Sequence, residues 1–142
     1  MNKIQHWAEE LSYLEDNDRL MYIIDLAKSK TTLPKELRNE ERLVRGCMSQ
    51  IWVDVGLVEG NIQTYYDSDA MITKGITSIV CDCFNGVPLE EAKELTTESF
   101  EPLGIKELLS AQRRNGLGSL IGTIIKRIER LSLYAVILSK KI

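Results

Sequence analysis

The 142-residue chain is poor in histidine, with only His6, and has three prolines and two phenylalanines. A single imidazole leaves no His cluster for a metal and few options for a His-assisted nucleophile. No apolar run approaches the roughly 20 residues a membrane-crossing helix needs. An excess of one charge is missing too. Lys and Arg total 18 against 21 Asp and Glu, a net charge of −3, so no basic field draws nucleic acid. The opening residues Met1 to His6 lack the apolar stretch of a secretory signal. Three cysteines, Cys47, Cys81 and Cys83, are present. Their odd number disfavours a disulfide framework and predicts a reducing, cytoplasmic setting. With 44% hydrophobic and 27% charged residues, the balance is that of one globular domain. No repeat, low-complexity tract or composition break divides it, so residues 1–142 are expected to form a single domain.

Periodicity supplies the elements. Ile4, Trp7, Leu11 and Leu14 fall on one helix face. Asp16, Asn17 and Asp18 offer N-caps for a second helix whose stripe is Leu20, Ile23, Ile24 and Ala27. Leu33-Pro34 closes that region, because the residue before proline avoids the helical conformation. Lys35 to Arg45 is charged, aperiodic and read as an ordered surface segment. From Ile51 the period becomes two. Ile51, Val53, Val55 and Leu57, then Ile62, Thr64 and Tyr66 across Glu59-Gly60-Asn61, predict an antiparallel hairpin. A lone hairpin is marginal, so a third strand is expected from Arg42 to Arg45. Ser68 or Asp69 is the candidate cap of a helix with stripe Ile72, Ile76, Ile79, Val80 and Cys83, stopped by Asn85-Gly86. Pro88 opens a short helix, another is expected around Phe100 to Leu109, and a longer one runs from Asn115 to about Arg130. The apolar tail 131–142 is expected to dock on the domain or on a second subunit. The fold class is α+β: a small antiparallel sheet of about three strands with helices packed on it.

The thiols differ in context. Cys81 and Cys83, two apart on a helix, point about 200° away from each other, so both are not expected to face one metal or one core. Cys83 lies on the apolar stripe and Cys81 off it, partly exposed or under a neighbouring element. Cys47 stands outside any apolar period, after Gly46, which frees the backbone for a turn. Arg45 and Arg42 lie near it in sequence, and positive charge favours the reactive thiolate. Spacing alone does not distinguish a working cysteine from an incidental loop cysteine.

Three ordered segments carry a resemblance. Residues 45–52, Arg-Gly-Cys-Met-Ser-Gln-Ile-Trp, resemble the Gly-Cys-x-Ser-x-x-Trp signature of SufE-like sulfur acceptors. Asp67-Ser68-Asp69-Ala70-Met71-Ile72 with Gly75 resembles that family's Asp-Ser-Asp-Ala-x-Ile-x-x-Gly segment. Residues 110–117 resemble its Ser-x-x-Arg-x-x-Gly-Leu motif. Upstream, Tyr22 to Leu26, Leu33-Pro34 and Glu36-Leu37-Arg38 also fit, so the likeness spans about residues 11–130.

The resemblance implies a sulfur carrier rather than an enzyme, with a fold similar to the scaffold protein IscU. Cys47 would accept persulfide sulfur from a PLP-dependent, SufS-like cysteine desulfurase, stimulate it, and pass the sulfur to an iron–sulfur cluster scaffold. No cofactor, metal, nucleic acid or membrane is implied, and either a monomer or a homodimer is compatible. Arg113 matches the motif arginine, expected near the cysteine loop or at the desulfurase surface; pairing with Asp69 or capping a helix end is the simpler role. Arg114 beside it competes for the assignment. Asp69 is either a helix cap or a residue that holds the loop closed. Gly46 and Arg45 complete the expected site, with Arg42, Arg45 and Arg113 as rim charges. Trp52 is expected to pack a helix. The rival readings are an IscU-type scaffold holding metal or a cluster, and a redox-sensing thiol protein.

Overall fold

At the centre of the molecule lies a helix with almost no solvent-facing side. In the computed structural model, which describes residues 2–28 and 32–140, α3 (Met71–Phe84) packs against a two-stranded sheet on one side and against two N-terminal helices, α1 (Lys3–Ser12) and α2 (Asp16–Leu26), on the other. The sheet is the expected hairpin, β1 (Ile51–Val58) and β2 (Asn61–Ser68), in the register Val53 to Tyr66 and Val55 to Thr64. Glu59 and Gly60 both take positive φ (53° and 83°), the backbone that a two-residue hairpin turn of matching twist requires. A short α4 (Leu89–Ala92) follows Pro88, which caps it from outside. The long α5 (Ala111–Lys140) then crosses the sheet and buries Leu117, Leu120, Ile121, Ile124 and Ile128.

The third strand does not form. Leu43 makes one bridge to Trp52, with Val44 N–H donating to the Ile51 carbonyl (2.8 Å) and Val53 N–H to the Arg42 carbonyl (2.9 Å). Pairing goes no further because Leu43 N–H closes a turn onto Asn39 and Gly46 takes φ +88°. The far edge of the hairpin is also covered in pieces. Leu33 N–H donates to the Tyr66 carbonyl and Ile62 N–H to the Val87 carbonyl, so short segments blunt edges that would otherwise stay unpaired. Arg127 reinforces the first edge, its guanidinium donating to the carbonyls of Val53, Arg42, Glu41 and Leu43.

Other expectations need correction. Glu15, without a side-chain bond, precedes α2, so the Asp16–Asp18 cluster lies inside the first turn, where acids favour the positive helix end. Ala70 precedes α3, and neither Ser68 nor Asp69 is its N-cap. The region around Phe100 to Leu109 forms two 3-10 turns, Thr97–Leu103 and Lys106–Leu108. Trp52 lies beneath the Arg38 guanidinium, 5.4 Å from ring centroid to Cζ. Cys81 is fully buried, as is Cys83, because α3 is covered on opposite faces and a stripe of one face does not describe it. The tail does not dock on the domain: α5 continues through it, and its side chains from Leu133 onward are exposed. Lys141 and Ile142 lie outside the described residues.

The tightest contact in the core is between backbones. A Cβ added at Gly75 would overlap the Ile23 carbonyl oxygen, so α2 and α3 approach as closely as only glycine allows. Gly75→Ala should cost about 1–3 kcal/mol in a urea titration, the usual penalty of overpacking. At Gly56 an added Cβ meets nothing within 4 Å. Gly56→Ala should leave the urea midpoint nearly unchanged; equal midpoint losses for both variants would refute this account of the helix contact.

Candidate functional site

Residues 45–50 form a loop whose neck is the Val44–Ile51 hydrogen bond and whose inner tip is Gly46-Cys47. Gly46 is required twice over. Its φ of +88° disfavours any side chain, and an added Cβ would stand 2.6 Å from Ser119 Oγ on α5. This close approach tucks Cys47 against α5, where its thiol donates to the Gly116 carbonyl at 3.5 Å. The Sγ borders a small cavity of about 30 Å³, walled by Ile51, Ile76, Leu117 and Leu120 on its apolar side and by Thr73 and Arg113 at its mouth. Burial pushes the Cys47 thiol above its ordinary pKa. The thiol is therefore protonated at neutral pH in this closed arrangement.

A clasp holds the other end of the loop. Gln50 N–H donates to Asp69 Oδ1 (3.0 Å), while its carbonyl accepts from Ser68 Oγ (2.7 Å) and Asp69 N–H (3.2 Å). Asp69 thus bonds to the loop at Gln50, while Ala70 takes the N-cap position of α3. Behind the clasp sits Asp67, fully buried and bonded to Arg38, to Lys74 Nζ (3.3 Å) and to the Ser68 N–H (2.8 Å). Neither Arg38 nor Lys74 stands out in the sequence as a site residue. No spacing rule finds them, since they meet Asp67 only through the fold.

The arginines separate. Arg113 borders the Cys47 cavity and donates to Thr73 Oγ1 (3.1 Å), on the first turn of α3, rather than pairing with Asp69. Arg114 turns away and donates to the carbonyls of Lys106 and Leu109, bracing the start of α5. Arg45 pairs with Glu40 (2.9 Å), and Arg42 faces Asp54 (3.4 Å). Neither offsets the effect of burial on the thiol, and the charge that sequence proximity suggested for Cys47 goes to acidic neighbours. Met48, next to Cys47, is 74% exposed. Cys81 and Cys83, by contrast, are 0% and 2% exposed with thiols pushed by desolvation up to about 12. Among the described residues, no three His, Cys, Asp or Glu side chains gather as metal ligands.

The family model described as "SufE: Fe-S metabolism associated domain" matches residues 5–128. The chain belongs to the SufE family. An uncharacterized SufE-like protein of Rhizobium etli is 36% identical over 130 residues, covering 87% of this chain and 88% of that protein. A second, from Rhizobium meliloti, is 33% identical, covering 87% and 93%. The solution structure of a hypothetical protein from Thermus thermophilus superposes with a TM-score of 0.77 at 17% identity, over 94% of this chain and 99% of that one. That likeness shows the shared α+β fold. Family membership associates the protein with Fe–S metabolism. No helix among the described residues is long and apolar enough to cross a membrane.

The clasp and the buried thiol together make a pH prediction for this SufE-family chain. Alkylation by iodoacetamide reports the thiolate, so the midpoint of the Cys47 rate profile should lie above that of a free cysteine, about 8.5. Asp69→Ala releases Gln50, hydrates the thiol and moves the midpoint of the rate profile down. Each unit of that fall raises the rate near neutral pH by up to roughly tenfold. Identical profiles for variant and wild type would show that the clasp does not govern the thiol.

Proposed function

We propose that this protein is a sulfur carrier that takes sulfane sulfur from a PLP-dependent cysteine desulfurase onto Cys47, stimulates that enzyme, and delivers the sulfur to iron–sulfur cluster assembly. The observation that carries the reading is the contrast among the three thiols. Cys81 and Cys83 are sealed in the core, whereas Cys47 sits on a loop tip held by a few hydrogen bonds. Family membership supplies the Fe–S context.

In the transfer, the Cys47 thiolate attacks the outer sulfur of the desulfurase persulfide. One S–S bond forms on Cys47 as the donor's S–S bond breaks, and the desulfurase thiolate leaves, as in thiol–disulfide exchange. The proton of Cys47 must depart first, which the closed loop resists. Docking therefore has to open the loop and hydrate the thiol. The clasp bonds contribute about 1 kcal/mol each, so opening costs a few kcal/mol, within reach of a protein–protein contact. Exposed Met48 and the Arg113 guanidinium lie where a partner would meet the opened tip. After transfer, the cavity beside Sγ, at about 30 Å³, has room for a water or for one extra atom. Retracting into it would shield a persulfide from solvent thiols.

The rival scaffold reading needs thiols converging on one ion. The two α3 cysteines lie wholly inside the core, and their raised pKa opposes the thiolate form a metal requires.

Incubation with a cysteine desulfurase and L-cysteine should add about 32 Da, one persulfide sulfur, to Cys47 in intact-mass and peptide spectra. Cys47→Ser should remove the adduct and the stimulation of desulfurase turnover together. A persulfide that persists on Cys81 or Cys83 in that variant would overturn the assignment.

A further inference from the structure

The two edges of the hairpin are finished differently. On β2 the outward-facing backbone groups are met at Ile62, Thr64 and Tyr66. Ile62 exchanges bonds with Val87 and Gly86, Thr64 N–H donates to Asn85 Oδ1 (2.8 Å), and Tyr66 bonds to Thr32 and Leu33. On β1 the cover stops early. Residues two apart face the same edge of an antiparallel ladder, so Ile51, Val53, Val55 and Leu57 turn their N–H and C=O groups the same way. Those of Ile51 and Val53 bond to Val44, Arg42 and Arg127. Among the described residues, the outward groups of Val55 and Leu57 have no such partner.

The edge stays open because the chain's own third strand turns away. Leu43 opposes Trp52, so an unbroken strand would set Glu40 against Val55 and Arg38 against Leu57. Instead Leu43 N–H closes onto Asn39, Arg38 reaches Asp67, and Glu40 pairs with Arg45 (2.9 Å). Proteins usually blunt an open edge with charge, proline or a covering segment. Residues 55–58 read Val-Gly-Leu-Val, and both Leu57 and Val58 are exposed.

The edge borders a groove of about 570 Å³, formed by Val55, Leu131 and Tyr134 together with Arg42, Arg127 and Arg130. Three arginines stand there against two acids, Glu41 and Asp54, and Asp54 is already met by Arg42 (3.4 Å). Burial lowers the Arg127 pKa from its ordinary value, and the charges of Arg130 and Arg42 lower it further, against the opposing effect of Asp54. An anion in the groove would relieve that crowding. The alternating N–H and C=O groups call for a second peptide backbone, and the arginines call for acidic side chains on it.

We infer that residues 55–57 of β1 are a strand-addition site for an extended, acidic segment of a partner protein, held through Arg127 and Arg130. Main-chain bonds to a sheet edge supply affinity in this mode, and alternate side chains supply specificity. A second copy of this chain fits less well, since it would bring the same three arginines face to face. At about 3.3 Å per residue, Leu57 lies about 20 Å along β1 from Ile51 at the neck of the Cys47 loop, so both places can be occupied together. The inference stands apart from the sulfur-transfer reading and does not need it.

The probe is a short blocked peptide alternating valine with aspartate, titrated across the millimolar range into the nitrogen-15-labelled full chain. The Val55 and Leu57 amide signals should shift, and their hydrogen exchange, fast in the free protein, should slow. Added strands bond through every second residue, so N-methylating the valines or the aspartates should weaken binding at least about tenfold in one phase and spare it in the other. Arg130→Glu, at an exposed position, should weaken binding several-fold with the thermal midpoint unchanged. Equal affinity of the two methylated peptides would overturn the inference, because charge alone would then hold the peptide. So would no binding, or Val55 and Leu57 amides already protected in the free protein, whether within the monomer or in a dimer seen by sedimentation.

Discussion

The buried carboxylate of Asp67 is the constraint on which the rest of the site depends. An ionised carboxylate without water is costly, and it is retained only where charge and hydrogen bonds replace the solvent. Here three parts of the chain supply the replacement: Arg38 from the segment before the loop, Lys74 from the first turn of α3, and the adjacent Ser68 N–H. Meeting this demand fixes where β2 ends and how α3 begins. It also sets Ser68 and Asp69 facing Gln50, so the clasp on the cysteine loop follows from satisfying Asp67. Arg38 serves a second purpose by lying over Trp52, which pairs with Asp67 across the hairpin. Loss of either cation would leave a buried charge partly unpaired, and the loop would lose its anchor with the core.

The contrast among the thiols is produced by burial alone, without tuning charges. All three are pushed upward in pKa by desolvation. What separates Cys47 is the cost of exposing it. Freeing Cys81 or Cys83 means unpacking α3 from β2 and α2, whereas freeing Cys47 means breaking its bond to Gly116 and the contacts of a six-residue loop. Low local stability at a loop, set on a well-packed frame, is where a group that must change its environment is found. The closed loop keeps the thiol protonated, so in the proposed transfer the loop has to open before Cys47 reacts.

Much of this is legible in the sequence, and the gaps have physical causes. The hairpin is readable because Ile51 to Leu57 and Ile62 to Tyr66 each have one wet and one dry face, joined by Glu59-Gly60. The α5 stripe is readable for the same reason, with one face buried. Of the two placements expected for Cys81, burial under a neighbouring element is the one found, because α3 is covered on opposite faces and has almost no solvent side. A third strand is expected because a hairpin needs covered edges. The fold meets that need with isolated bonds and the Arg127 guanidinium, which leave no alternating pattern. Sequence distance places Arg45 beside Cys47, but Glu40 lies on its other side and takes the charge. Motif spacing locates Cys47, Asp69 and Arg113, while the supporting Arg38 and Lys74 emerge only in three dimensions.

One helix serves two ends of the molecule. The early turns of α5 supply the Gly116 carbonyl, the Arg113 side chain and the Ser119 contact that shape the loop pocket. Its middle turns fix the helix to the sheet through Ile121, Ile124 and Ile128. Its last turns project an apolar surface. Because the middle is buried, the helix cannot rotate about its axis without breaking the core, so the two ends do not exchange motion cheaply. Events at the projecting end therefore leave the chemistry of the Cys47 loop to its own clasp.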